Sequence, residues 1–329
     1  MTLPPAESSR SDSLDYGVVG AGMGGTLMAI LLARAGRRVE LFEGRPDPRR
    51  GGLKAGKSIN LALSRRGLDA LAQADLKEAI LGMAVPMRGR MIHSRRGRTT
   101  FQPYSAGCRH AIQSVSRAAL NLSLLNAAEE AGVRIRFQMK CRDVRPEDGV
   151  ISLENLRSGA RENVRVATII GADGAHSVVR RRLLRSDGFE FHQSYLAHGY
   201  KELTLPAAAG GRFAMEPHAL HIWPRGESMM IALPNRDGSF TCTLFWPRQG
   251  PASFAALKTG REVTSFFRRT FPDAVGLLPN LEEEYFSHEE GSLVTIRCRP
   301  WHHGPTVVLL GDACHAVVPF YGQGANAAF

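Results

Sequence analysis

The chain has 329 residues, enough to bury a substantial core and to make two domains, or one with a large insertion. Hydrophobic residues make up 43% and charged residues 22%, which excludes a disordered or fibrous class, and the formal net charge is +11. That charge invites a nucleic-acid partner, yet the arginines fall in small scattered groups (Arg65-Arg66, Arg95-Arg96, Arg180-Arg181-Arg182) without interleaved aromatics, so a solvated basic surface and no nucleic acid are expected.

Residues 1–13 are polar and read as a disordered tail, lacking the basic-then-apolar order of a signal peptide. Tyr16 to Gly20 is a short apolar strand that enters a glycine turn. Residues 16–33 carry no charge and are long enough to raise a membrane-helix flag, but five glycines make strand, loop and helix the better reading. A buried helix over Thr26 to Ala35, closed by Gly36, leads to a strand over Arg38 to Glu43, completing a βαβ unit. Gly51 to Gly56 is a basic glycine-rich loop, and Ser64 to Ala74 has helical spacing. Residues 85–104 turn arginine-rich and extended, with Pro86 and Pro103 as punctuation. Ser116 to Ala131 is a helix with Ser116 as N-cap and Gly132 past its end. Strands follow at Val133 to Phe137 and Val164 to Gly171. From Ala197 to Trp246 the pattern is strand-rich, with Ser228 to Leu233 and Phe240 to Trp246 flanking a hairpin turn at Asn235 to Ser239. Phe254 to Phe271 is predicted as one helix, and Thr306 to Leu310 as a fully buried strand. The α/β unit is thus interrupted by a sheet-rich block and resumed. The chain ends at Phe329 within a loop–helix junction, the pattern of a C-terminally truncated chain.

Cys108, Cys141, Cys242, Cys298 and Cys314 are odd in number, with no C-x-x-C pair, which argues against a disulfide framework or a zinc site and suits a reducing cytoplasm. His315 has no neighbours to complete a ligand set, so no metal is expected.

Gly20-Ala-Gly22-Met-Gly-Gly25 fits G-x-G-x-x-G after one strand and before one helix. In such a motif Gly20 permits the tight turn, Gly22 lets backbone approach a pyrophosphate, and Gly25 lets helix and strand pack closely. Glu43 ends the second strand, where a carboxylate accepts hydrogen bonds from a ribose. This pattern does not separate NAD from FAD.

Gly171-Ala-Asp173-Gly174-Ala-His-Ser177-Val-Val-Arg180 resembles the Asp-Gly signature of the class A FAD-dependent aromatic hydroxylases. Gly311-Asp312-Ala-Cys-His315, followed by Pro319 and Gly322-Gln-Gly324-Ala-Asn326, resembles their Gly-Asp signature. The resemblance implies a Rossmann-like FAD-binding domain (14–84, 105–185 and 301–329) interleaved with a sheet-rich substrate domain (85–104 and 186–300), and a C-terminal helical region absent here. It implies that Asp312 contacts the flavin ribityl chain, that the loop after Pro319, with Gly322, Gly324 and Asn326, lies along the flavin ring, that Arg117 points towards the FAD phosphates, and that Asp173 belongs to the cofactor site.

Ser58 to Ser64, Pro86 to His93, Gly199 to Leu203, Leu220 to Gly226 and Phe240 to Trp246 narrow the resemblance to the kynurenine 3-monooxygenase family. By that resemblance Arg90 and Tyr104 bind the substrate carboxylate, Leu220, Met229, Ile231, Leu233 and Phe245 line an aromatic pocket, and Pro319 and Phe320 close it. An arginine fork suits a carboxylate. Arg88 shares a face with Arg90 if both lie on a strand, and the sequence leaves their roles exchangeable. Met229, Ile231 and Leu233 alternate, so one strand face presents them; without the resemblance they read as plain sheet core. The implied reaction is hydroxylation of L-kynurenine in tryptophan degradation, with tightly but non-covalently bound FAD, NADPH, O2 and a flavin C4a-hydroperoxide. No second G-x-G-x-x-G is present, so NADPH is expected as a transient co-substrate. The alternatives are a flavin hydroxylase of another aromatic acid and a truncated FAD-binding module without turnover. Ala325 and Cys314 depart from the family pattern in the flavin loop. A soluble cytoplasmic protein of bacterial style, without membrane contact, is expected.

Overall fold

A computed structural model describes residues 14–51 and 60–329. The predicted N-terminal tail, most of the glycine-rich loop after Gly51, and Ser58 and Ile59 of the first kynurenine-type segment lie outside the described residues.

The apolar run of the first strand, Leu14–Val19, sits at the centre of an eight-stranded sheet. Across it run His302–His303, Val307–Leu309, Arg161–Gly171, Leu14–Val19, Val39–Glu43 and Arg134–Phe137, and the last five of these are parallel. Met139–Arg145 and Val150–Asn155 add an antiparallel extension to Arg161–Gly171. The helix Met23–Arg34 crosses from the first strand to Val39–Glu43 and packs beside the helix Arg117–Glu130; Val18, Leu27, Ile30, Leu41, Leu120 and Leu124 form that core. Burying both faces is what a parallel sheet requires. On the opposite face Val19, Phe42, Ile151, Ile169, Val179 and Leu183 pack together.

A seven-stranded sheet stands apart from it, in the order Gly291–Arg299, Glu190–Leu205, Phe240–Pro247, Ser228–Pro234, Ala219–Arg225, Gly89–His93, Thr99–Pro103. All its neighbours are antiparallel except Ala219–Arg225 with Gly89–His93. Alternation divides its side chains between two environments. Trp223, Met230, Leu244 and Trp246 face the helices Gly260–Thr270 and Leu281–Ser287, where Trp246 stacks on Phe266 at 4.2 Å. Leu220, Ile222, Met229 and Ile231 fall on the other face and are only half-buried. A three-stranded sheet, Asn60–Leu63, Ile112–Ser116 and Val85–Met87, joins the two larger ones. Its Asn60 amide and Ser114 hydroxyl donate to the Pro234 carbonyl at 3.2 and 2.8 Å, anchoring the hairpin that carries Met229 and Ile231.

Two predicted elements differ. The helix expected over Phe254 to Phe271 is broken: a 3-10 turn occupies Phe254–Ala256, and the α-helix begins at Gly260, where Thr259 and Glu262 form a capping box. The strand expected to be fully buried over Thr306 to Leu310 is Val307–Leu309, and its Val308 is 36% exposed because only one face of this strand is covered. None of the described helices is long and apolar enough to cross a membrane.

Candidate functional site: a dinucleotide cradle facing an apolar sheet

The glycine turn separates three jobs. Gly20 has φ +104°, and a Cβ there would lie 2.5 Å from the Ala172 carbonyl oxygen, so both conformation and crowding demand glycine. A Cβ on Gly25 would drive into the Gly20 carbonyl and come within 2.8 Å of the Ala172 methyl. Gly22 is different: a Cβ there meets nothing within 4 Å. It is the N-cap of Met23–Arg34, with no side-chain cap and no acidic residue in the first turn. The helix therefore presents its free N–H groups and dipole to open space, a fit for pyrophosphate.

Glu43 borders this cradle. Its Oε2 accepts the Ala21 N–H at 3.0 Å, and its Oε1 accepts the Arg45 N–H at 2.8 Å. The Arg45 guanidinium also donates to both oxygens, at 3.0 and 3.1 Å. Burial raises the Glu43 pKa, but these bonds outweigh it and hold the carboxyl below its ordinary value. Arg45 was not singled out from sequence; a basic residue two places after the strand-ending acid was the available signal.

The Asp173 carboxylate turns into its own loop. Its Oδ2 accepts the Val178 and Val179 N–H groups at 2.6 and 3.3 Å, at the start of the helix Val178–Leu183, while its buried Oδ1 has no partner among the described residues. Burial raises its pKa against those bonds. The buried Arg180, quoted in sequence only as part of a motif, ties the two flavin-type loops together. Its guanidinium donates to Ala175 O at 2.6 Å and to Ala313 O at 2.7 Å, and lies 4.9 Å from the Phe191 ring.

Asp312 is exposed at the first position of the short helix Asp312–His315, after Gly311 at φ +62°. The loop beyond it makes a 3-10 turn over Pro319–Tyr321 and reverses at Gly322, φ +61°. A Cβ on Gly324 would meet nothing within 4 Å. Asn326 is fully buried and fastens this loop: its Oδ1 accepts the Ser64 N–H at 2.9 Å, and its amide donates to Ala62 O and Gly322 O, each at 2.9 Å.

Across from the loop lies the half-buried face of the seven-stranded sheet. Arg90 pairs with Leu220, Ile222 with Ile231, and Met229 with Phe245, so these side chains share one face. Leu233 belongs to the same face by alternation and is buried. The Arg90 guanidinium sits 5.5 Å over the Tyr104 ring, and burial raises the Tyr104 pKa against the pull of Arg90, keeping a neutral phenol. Arg88 instead donates to Cys108 O at 3.1 Å. Phe320 meets Phe245 edge to face at 5.1 Å, joining the flavin-type loop to the sheet; Pro319 is exposed beside it. Tyr200 and Glu202 extend the same face, pairing with Phe245 and Thr243, and alternation along Gly199 to Leu203 would have found them. Burial pushes the Glu202 carboxyl up, opposed by His288 and by Arg117, the exposed first residue of the helix Arg117–Glu130.

A nucleotide cradle, two glycine-turn loops bound by one arginine, and an apolar sheet face with an arginine–tyrosine pair at its corner together define a flavin-dependent hydroxylase fold. A family model described as an FAD binding domain matches residues 13–329. The kynurenine 3-monooxygenase of Myxococcus xanthus is 50% identical over 98% of this chain and 69% of its own length. That of Salinispora tropica is 47% identical over 95% of this chain and 69% of its own length. Among solved structures, the tetrameric form of 2-methyl-3-hydroxypyridine-5-carboxylic acid oxygenase superposes with a TM-score of 0.77 at 22% identity, covering 97% of this chain and 80% of that one. Pseudomonas aeruginosa PqsL gives 0.75 at 19% identity, covering 96% and 83%. The chain belongs to the FAD-binding-domain family and, within it, to the kynurenine 3-monooxygenases.

Proposed function

We propose that this chain carries the FAD site and the substrate face of an enzyme that hydroxylates L-kynurenine at ring position 3, consuming NADPH and O2. The observation that carries the reading is the Arg90–Tyr104 corner in register with Leu220 on an otherwise apolar face. A guanidinium fork and a neutral phenol suit one carboxylate, and the half-buried apolar face beside them suits an aromatic ring.

Gly20, Gly22 and Gly25 with the N-terminus of Met23–Arg34 would hold the FAD pyrophosphate, Glu43 the ribose, and Arg117, Asp312, Gly322 and Gly324 the remainder. Asp173 and Asn326 act one step back, fixing the loops against which it lies. A bound flavin would supply the redox chemistry that links NADPH to O2. The chain's own residues position and exclude. Arg90 and Tyr104 fix one end of the substrate, so the ring lies over Leu220, Met229, Ile231 and Phe245 with few orientations open to it. Phe320 against Phe245 shields that ring from water. We assign residues 14–84, 105–185 and 301–329 to the FAD-binding part, and 85–104 and 186–300 to the substrate part.

The test is kynurenine-stimulated NADPH oxidation by the FAD-loaded protein, with mass-spectrometric detection of 18O in 3-hydroxykynurenine. Stimulation by a different aromatic acid, and none by kynurenine, overturns the substrate. The chain spans 69% of the Myxococcus relative's length, so a yellow protein that consumes no NADPH with any aromatic acid supports an FAD-binding module instead.

A further inference from the structure

Behind the substrate face a polar chain is buried where the sheet is otherwise packed with aromatics. His93 and His221 are 5% and 2% exposed. The His221 Nε2 lies 2.8 Å from the Glu216 carbonyl oxygen, the His221 Nδ1 lies 2.8 Å from the His93 Nε2, and the His93 Nδ1 lies 2.6 Å from the Asp273 Oδ2. His93 also stacks on Trp223 at 4.0 Å, and the Trp223 indole donates to the same Asp273 oxygen at 3.0 Å.

Counting protons along this chain gives a definite result. A carbonyl only accepts, so His221 donates from Nε2 and its Nδ1 must accept if that ring is neutral. His93 then donates from Nε2, and in a neutral ring its Nδ1 is a lone pair facing a carboxylate. Three short contacts require three protons, and two neutral imidazoles supply two. The third makes either an imidazolium against Asp273 or a protonated Asp273; without it one contact sets two acceptors face to face.

The location gives this a consequence. Of the five residues in Gly89–His93, only Gly89 and His93 are buried, so His93 is the one buried side chain fastening this strand. Arg90 stands on the same strand, and Thr99–Pro103, its outer neighbour, is exposed throughout. The charged groups facing the chain are Asp273 from the turn after Gly260–Thr270, Arg225 from the His221 strand, Glu216 before that strand, and Arg95 beyond His93. The Arg225 guanidinium donates to the His93 and Ser94 carbonyls at 2.8 and 3.0 Å, and to Thr270 O at 2.6 Å, so it braces the backbone and leaves the imidazoles to one another.

We propose that Asp273, His93 and His221 are positioning residues that hold the Arg90 strand for carboxylate binding through a chain needing one proton beyond two neutral imidazoles. Burial pushes both imidazoles down, His221 to about 4, against the pull of Asp273 on His93, so the third proton is bound on the acid side and lost as pH rises. The proposal rests on the reading of Arg90 as the carboxylate clamp, but the proton count does not.

The experiment is nitrogen-15 and carbon-13 NMR of histidine- and aspartate-labelled, FAD-loaded protein between about pH 4 and 7.5, the two rings being assigned with His93→Gln and His221→Gln and the carboxyl with Asp273→Asn. Kynurenine dissociation constants are taken from flavin fluorescence over the same range. In the unaltered protein the chain should carry three protons at the acid end and two at the basic end, and kynurenine binding should weaken about fivefold between them. In Asp273→Asn the carboxylate that draws the third proton is gone and the amide oxygen keeps the Trp223 bond, so both rings stay neutral at every pH and the component of the pH dependence specific to the unaltered protein disappears. Two neutral imidazoles beside an ionised Asp273 across the whole range would overturn the proposal whether or not kynurenine binds. The same pH drift in Asp273→Asn as in the unaltered protein would overturn its link to Arg90.

Discussion

Replacing Asn326 with alanine removes three hydrogen bonds from one fully buried side chain. Alanine leaves the Ser64 N–H and the Ala62 and Gly322 carbonyls without that partner. The Ser64 N–H opens a helix and has no intrahelical partner, so it bears most of the cost; the two carbonyls keep further acceptor capacity. Unsatisfied buried groups cost about 1–3 kcal/mol each, and partial relaxation at the carbonyls brings the expected loss to about 3 kcal/mol, roughly a hundredfold in the folding equilibrium. The same change frees Gly322, whose φ of +61° sets the reversal of the flavin-type loop. FAD affinity should fall along with stability. Urea unfolding of the FAD-free protein measures the first quantity, and flavin fluorescence titration measures the second. A loss under about 1 kcal/mol with FAD affinity within about twofold would refute the claim that this side chain fastens the loop.

Gly22→Val should abolish FAD binding yet leave the FAD-free fold intact, because its Cβ enters open space, whereas Gly20→Val should unfold the chain through backbone collision at φ +104°; circular dichroism with FAD titration separates the two. Arg90→Gln should raise the kynurenine KM about thirtyfold with FAD affinity unchanged, and Arg88→Gln should change it less than about twofold, because only Arg88 is engaged with Cys108 O. Glu43 has its carboxyl held below the ordinary value, so the stability it confers is present above the unfolded pKa and lost as pH falls through the folded one. The stability difference between the unaltered protein and Glu43→Gln should therefore shrink below about pH 4, as read by urea midpoints across an acid series.

The βαβ entry, its glycine turn and the acid ending the second strand were legible because they are local: each residue's task depends on neighbours within one strand–turn–helix unit. The alternation of Met229, Ile231 and Leu233 was legible for the same reason, since a strand's period is written in its own residues. Which face the helices would cover was not written in that alternation, because Trp223, Met230 and Leu244 on one side and Ile222 and Ile231 on the other are equally apolar, and only the packing of the helices on the first side decides. The different surroundings of Arg88 and Arg90 were decided in the same way, by a carbonyl twenty residues on that accepts from one and leaves the other over Tyr104. The break at Phe254 to Gly260 escaped the apolar pattern because Phe254 packs against Trp246 and Tyr285, a tertiary contact that overrides helical spacing. Arg180 between two loops and the Asp273–His93–His221 chain join residues more than a hundred positions apart, and no local period encodes such pairings. The sequence determined the dinucleotide turn and the kinds of residue available to the site. Tertiary packing decided which of them meet, because burial and hydrogen-bond partners belong to the assembled sheets and not to any one segment.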